Sequence, residues 1–431
     1  MAVNRIVVTG MGAVTSVGND VATFWDSLVG AHSGIAPITS FPTGDAPPIY
    51  AGEVKGLSAE RTGLPRRKLK VMGRPAQLAF AAAHEACADA GIGLQERPAE
   101  TRLGIILGVG MLNADVMELG RAFHATAAAL AGESFDEVAF GRSGAPQLFP
   151  LWLLRHIPNL AAAHTSIAFD AQGPSNTITT GCVGGANAIG EAARILARGD
   201  ADVMLAGGAD ARVCPLSLLR YRDIGWLATR DDLPGPSVSA PFDAGATGFV
   251  TAEAGAILVL ESLQHAQRRG ARIRAELAGY GGGNDAYDLL QPHPAGRGLA
   301  RAMRRCLATG GLAPAQVDVV FAPALSIPAF DHAGGMALQH TFGTAPGRPL
   351  VTATRSLLGH AHAASAAVDC IAAIKAIEDS VVPPIANLQQ PTVDLAFVST
   401  TARPVALSTA MVAAYGFGGN AAALAWRGFA N

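Results

Sequence analysis

Thr179-Thr180-Gly181-Cys182-Val183-Gly184-Gly185 and, later in the chain, Leu357-Leu358-Gly359-His360 decide how this sequence reads. Each sets a reactive side chain directly after a glycine, at the predicted start of a helix. The first helix runs to about Leu196, with Ile189, Ala192, Ala193, Leu196 and Ala197 at helical spacing, and a small-residue strand over 202–208 follows. The second runs through Lys375 and is rich in alanine. A second pair repeats the relationship. Residues 82–93 then 103–108, and residues 299–312 then 317–322, both read helix, glycine-containing turn, strand. Two matched pairs predict an internal duplication, with a boundary between Ser262 and Arg272, hence an N-terminal half over 1–262 and a C-terminal half over 263–431.

Outward from these motifs, apolar runs at 5–9, 103–107, 203–206, 256–260, 317–322 and 422–426 alternate with Ala-rich helical stretches, among them 75–91. That alternation predicts a layered α/β chain. Residues 230–240, with Pro234, Gly235 and Pro236, read as an exposed loop. The 431 residues are 50% hydrophobic and only 15% charged, against about 25% charged in an average soluble protein. A large core and a buried oligomer interface are the implication. No run of about 18 uncharged apolar residues occurs, and the N-terminus has no signal-peptide pattern, so no membrane span or secretion is expected. With 32 basic and 34 acidic residues the chain has no global field for a phosphate backbone, which argues against nucleic acid. The five cysteines show no Cys-x-x-Cys spacing, and the reading is a reduced, cytoplasmic protein with no metal site.

Cys182 is the sharpest chemical feature. Unpaired amides and the positive end of a helix dipole are expected to favour its thiolate, while the neighbouring glycines let a carbonyl approach backbone donors. A lone cysteine is more often a small buried core residue, and Cys87, Cys214, Cys306 and Cys370 are read that way. If the halves pack as the repeat suggests, His360 comes towards Cys182, the minimum pair for making and resolving a thioester; alone it would read equally as a capping or core histidine. His362 is expected to point elsewhere and to be structural. Arg355 and Ser356 could orient groups or brace a loop. The turn Tyr415-Gly416-Phe417-Gly418-Gly419-Asn420 can place Phe417 beside a pocket, with Trp226 either shaping that pocket or lying in the core. The turn is no phosphate loop, because no Lys-Ser/Thr pair follows.

At these residues the sequence resembles the ketosynthase branch of the thiolase fold, the β-ketoacyl carrier-protein synthases and their chain-length-factor relatives. The resemblance spans the chain: residues 5–18, 158–163, Gly173-Pro174-Ser175, Gly181-Cys182, 188–190, 199–208, Pro241-Phe242-Asp243, 351–360 and 416–419. It implies two βαβαβαββ halves in five layers (α-β-α-β-α), a homodimer or a heterodimer with a second ketosynthase subunit, no bound cofactor, and an acyl chain delivered on the phosphopantetheine of an acyl carrier protein. Cys182 matches the family nucleophile and His360 its second histidine. The first histidine does not survive: Phe321-Ala322-Pro323-Ala324-Leu325-Ser326-Ile327-Pro328 aligns with its usual setting and puts Pro323 at that position. The family lysine reads Arg355, and the glutamate that accompanies it reads Gly334. Pro323 has neither donor nor base for the enolate formed as carbon dioxide leaves, and losing one such donor costs about 10²- to 10³-fold in rate.

The resulting expectation is an acyltransferase of polyketide or other secondary metabolism that loads Cys182 and completes a largely non-decarboxylative step: transfer, or aldol or Claisen ring closure with lactone-type release. The alternatives are a chain-length-factor-like partner that catalyses nothing, and an ordinary decarboxylative synthase. The basic run with Arg61, Arg66, Arg67, Lys68, Lys70 and Arg74 reads as a solvated face or, with Arg222, as a dock for an acidic carrier protein.

Overall fold

Five of the six apolar runs form strands that extend beyond their sequence cores, while 317–322 forms only the short strand Val319–Phe321. We label the strands of the main sheet β1 (Ile6–Thr15), β2 (Leu103–Val109), β3 (Ser175–Ile178), β4 (Val203–Ala211), β5 (Glu253–Ser262), β6 (Ala275–Asn284), β7 (Val319–Phe321), β8 (Leu350–Thr352), β9 (Ala396–Phe397), β10 (Thr409–Tyr415) and β11 (Asn420–Gly428). The structure is a computed structural model that describes residues 4–429 apart from 44–47, 59–62, 64–65, 94–101, 112–115, 131–133, 230–233 and 346, with Arg66 and Arg67 described in backbone only.

The strands lie in the order β9-β8-β7-β10-β11-β6-β1-β5-β4-β2-β3. β1 and β6 meet only through Val7 with Glu276 and Val8 with Ala275, so the ribbon is two sheets joined at a short ladder. Within each, the order repeats. The first strand pairs antiparallel with the last and the last antiparallel with the fourth, while the fourth, second and third run parallel: β1-β5-β4-β2-β3 in one half, β6-β11-β10-β7-β8 in the other. The expected duplication is therefore present in the topology.

Four helices complete the layers: α1 (Arg74–Ala90), α2 (Gly184–Arg198), α3 (Arg297–Gly310) and α4 (Ser365–Asp379). α2 and α4 each touch both sheets and form the central layer, while α1 covers one sheet from outside and α3 the other. Their composition follows from this. In α4, packed on both sides, Ala366, Ala367, Val368, Ile371, Ala372, Ala373, Ile374 and Ala376 are all buried; the small residues admit close neighbours and the branched ones fill the gaps. α3 instead keeps a polar outer face with Arg297, Arg301, Arg304 and Arg305 exposed. Among the described residues no helix is long and apolar enough to cross a membrane.

Two stretches differ from expectation. The loop expected to be exposed over 230–240 is largely covered in its described part, with Gly235, Val238, Ser239 and Ala240 buried. The second motif was predicted to open its helix at His360. Instead Arg355–Leu358 is a single helical turn, Gly359 is left-handed, and His360 lies extended beside Thr251, with its N–H donating to Val250 O at 2.7 Å and its carbonyl accepting from Ala252 N at 2.9 Å. The helix begins only after a 3₁₀ turn over His362–Ala364. The true counterpart of that turn is the 3₁₀ turn Gly181–Val183 before α2, and the two turns pack against each other.

Candidate active site

Where the two 3₁₀ turns meet, Cys182 is 5% exposed and His360 1%, and the sulfur lies 3.1 Å from His360 Nε2. The left-handed Gly181 (φ 58°) turns the chain so that the next side chain faces the other half. Opposite, the bridge to Thr251 fixes the backbone of His360, and its Nδ1 lies 3.2 Å from Ser365 Oγ at the start of α4. The pairing of Cys182 with His360 stands; the ionisation expected for it does not. Burial pushes the Cys182 thiol up to about 12, and the charge of Arg355 and the amides of Phe417 and Cys182 itself, which pull the other way, only partly offset it. The expected helix dipole is outweighed because the sulfur is buried away from solvent. Burial, then the neighbouring His362 and Arg355, hold His360 well below the usual imidazole range. The resting pair is therefore a neutral thiol donating to Nε2, which leaves the Nδ1–H to donate to Ser365.

His362 corrects a second expectation. It was read as pointing away, yet one of its ring nitrogens, a His360 nitrogen and the Cys182 sulfur all lie within 4.8 Å of one another, and all three side chains are buried. Its Nε2 lies 3.1 Å from Thr251 Oγ1, its ring stacks on Tyr221 (5.2 Å, 13°), and Phe249 meets both imidazoles edge-on. Aligning the starts of α2 and α4, rather than the two Gly-x pairs, would have placed His362 opposite Gly181 and flagged it. The trio is the one grouping among the described residues able to hold a metal ion by geometry, and an ion there would have to displace the thiol proton.

The surrounding charges are paired. Arg355, at the position of the family lysine, is buried with Nη2 3.0 Å from Asp369 Oδ2, while its Nη1 donates to Ala322 O at 3.1 Å. Thr354 Oγ1 donates to the other Asp369 oxygen at 2.6 Å. Asp369 was not singled out in the sequence; it stands four residues into α4 and replaces the partner missing at Gly334. Arg212 Nε is 3.0 Å from Asp210 Oδ1, and that buried pair borders the Tyr221 side of the site.

Pro323 is buried in the loop after β7. Ser326, at φ 61°, accepts from Ala240 N at 3.0 Å, and Asp331 accepts from Leu325 N and Phe242 N, so Ser326 braces this loop. Phe417 stacks on Trp226 (3.7 Å, 9°) with Phe330 at its edge, which answers the open question of Trp226: it is both buried and the wall behind Phe417. A Cβ on Gly416 would lie 3.1 Å from that of Cys182, so this glycine lets the turn close over the sulfur. Gly418 and Gly419 both take left-handed φ to complete the turn. A cavity of about 370 Å³ lies at the ends of β2 and β4, lined by Met111, Met117, Asp210 and Cys214 among others; neither Cys182 nor His360 lines it. Lys68, Lys70 and Arg222 are exposed, and the side chains of Arg66 and Arg67, like Arg61, lie outside the described residues. Arg74 bonds Glu253 at 2.9 Å and Val54 O at 2.6 Å.

Residues 3–266 match the family model described as Beta-ketoacyl synthase, N-terminal domain, and residues 274–389 match Beta-ketoacyl synthase, C-terminal domain. The chain is 34% identical over 421 residues to the 3-oxoacyl-[acyl-carrier-protein] synthase 2 of Coxiella burnetii, covering 97% of each chain, and 34% identical over 427 residues to that of Staphylococcus aureus (strain COL), covering 99% of this chain and 98% of the relative. Among solved structures, the ishigamide ketosynthase/chain length factor superposes with a TM-score of 0.86 at 30% identity over the whole of both chains, and a beta-ketoacyl synthase from Burkholderia phymatum with 0.85 at 27% identity, over 99% of this chain and all of that one. These likenesses run through both halves and through the seam where cysteine and imidazole meet, and they establish a thiolase-like fold: the chain belongs to the beta-ketoacyl synthase family.

Proposed function

We propose that this chain is an acyltransferase of ketosynthase type that takes an acyl group from the phosphopantetheine of an acyl carrier protein onto Cys182 and completes a step not driven by decarboxylation. The 3.1 Å contact between Cys182 Sγ and His360 Nε2 carries the reading. As sulfur attacks the donor thioester, its proton passes to His360 and on to the departing carrier thiol, and the amides that face the sulfur are available to the carbonyl oxygen. The Gly416–Gly419 turn must lift Phe417 from Trp226 to admit the chain, because the sulfur is nearly enclosed.

Pro323 supports the non-decarboxylative half of the proposal. With malonyl carrier protein added to the acylated enzyme, carbon dioxide release is expected at about 10²- to 10³-fold below that of an ordinary synthase; release at the ordinary rate overturns it. One observation favours a second reading, ordinary decarboxylative condensation: the approach of His362 offers another imidazole. The inactive-partner alternative is opposed by the retained Cys182–His360 pair.

The carrier is proposed to dock on Lys68, Lys70 and Arg222. Charge reversal of Lys68 and Lys70 is expected to slow loading from carrier-bound acyl groups and to spare small pantetheine thioesters; equal loss with both donors rejects the surface. A dimer through β3 is proposed because this strand is the half-exposed edge of the sheet. Sedimentation showing only monomer rejects it. The five cysteines, dispersed along the chain with no Cys-x-x-Cys spacing, support a reducing, cytoplasmic setting.

A further inference from the structure

We infer that His362 is a second acid–base imidazole of this centre, the group that takes the proton from an acceptor other than a thiol, such as an amine, as it attacks the Cys182 thioester. The inference rests on the acyl-enzyme reading above and assigns its second half.

Position comes first. His362 opens the 3₁₀ turn of its half at φ 46°, and its structural twin Gly181 opens the other at φ 58°. One half thus uses glycine for a left-handed residue while the other keeps a β-carbon there, at a cost of about 1–2 kcal/mol. Residues held in such strain cluster at functional sites. Here the strain places the ring: the two imidazole centroids are 4.5 Å apart, and a nitrogen of each lies within 4.8 Å of the sulfur.

Fixation comes next. Thr251 Oγ1 at 3.1 Å, the stacked Tyr221 and the edge of Phe249 leave the His362 ring little freedom. The groups around it are Cys182, His360, Arg212, Tyr221 and Thr251. Burial, reinforced by the Arg212 charge, holds His362 well below the usual imidazole range, so at neutral pH it is an acceptor for a proton.

Demand completes the case. In discharge, an acceptor Nu–H adds to the thioester carbon, the C–S bond breaks, and the products are Nu–C(=O)R and Cys182–SH. One proton leaves the acceptor and one returns to sulfur. His360 is bonded to the sulfur and serves the return; Pro323, in the loop after β7, can take no proton. His362 is the remaining imidazole in reach: both rings are neutral once the loading proton has left with the carrier thiol, so His362 takes the acceptor's proton and passes it to the adjacent His360, which returns it to the departing sulfur.

The test separates loading from discharge by intact mass. The parent, His362→Asn and His362→Gln are loaded from an acyl-pantetheine thioester, then exposed to an added amine acceptor; Asn tolerates the left-handed backbone and Gln keeps the side chain's bulk. The expected result is loading within about threefold of the parent and discharge slowed by about 10²- to 10⁴-fold in both variants. Discharge at the parent rate in variants that load overturns the inference and leaves the acyl-enzyme reading standing. Equal loss of loading and discharge, with a lowered melting temperature, assigns His362 a structural role and also overturns it. A parent that never loads overturns the acyl-enzyme reading and this inference with it.

Discussion

His360→Ala is expected to load acyl groups about 10²- to 10⁴-fold more slowly than the parent. The reason is the protonation state of the pair. A thiol whose pKa burial pushes up is almost wholly protonated at pH 7, so acylation depends on the imidazole that removes its proton during attack. His360 is held well below the usual range and is free to accept. The sign of the pH dependence follows. Alkylation of Cys182 by iodoacetamide, followed on the Cys182 peptide by mass spectrometry, should keep rising with pH above neutrality, because each unit of pH exposes more thiolate. Enzymatic acylation should stay level from about pH 7 upward and fall in acid, where His360 gains a proton. An alkylation plateau near pH 6 would mean a standing thiolate–imidazolium pair, and this account of the resting site would be wrong.

Arg355→Leu is expected to lower stability by about 3–5 kcal/mol, because it strands a buried carboxylate. The Arg355 side chain is 5% exposed and that of Asp369 1%, with 3.0 Å between them. Pairing Arg355→Leu with Asp369→Leu should recover much of the loss, since two apolar residues leave no charge behind. The deficit of the single variant should shrink as pH falls: without the guanidinium, Asp369 escapes its penalty by taking a proton, and burial already raises its pKa. Denaturant titrations at pH 5 and pH 8 read both effects. A single-variant loss under about 1 kcal/mol, within the range of an exposed pair, contradicts the buried-pair argument. Loading should slow as well, because Arg355 holds the carbonyl of Ala322, the residue before Pro323.

The duplication was legible in the sequence because helix, glycine turn and strand recur in order in both halves. What escaped did so for identifiable reasons. β6 contains Gly279, Gly281, Gly282 and Gly283 and was not assigned as a strand; a Cβ on Gly279, Gly281 or Gly283 would lie 2.3, 2.1 or 2.3 Å from a carbonyl oxygen of α3, so these glycines make room for a helix. Residues that serve packing and residues that serve turning look alike in one dimension. The edge strand Ser175–Ile178 is short and half-exposed and lacks an apolar run. Cys182 and His360 were visible from their Gly-x settings. His362 was not, because helical spacing from His360 was assumed where the chain is extended and then bends left-handed. The thiolate expectation failed through burial, a property of the packed halves that no local motif carries. Asp369 was missed because the partner of Arg355 was expected at Gly334, in the helix Pro328–Phe342, while the structure supplies it from α4.

The most direct measurement of the central claim is intact mass after incubation with an acyl-pantetheine thioester, for the parent and Cys182→Ala. The account predicts one acyl group on the parent, mapped to the Cys182 peptide, and none on the variant. No adduct on the parent, or an equal adduct on both, would contradict it.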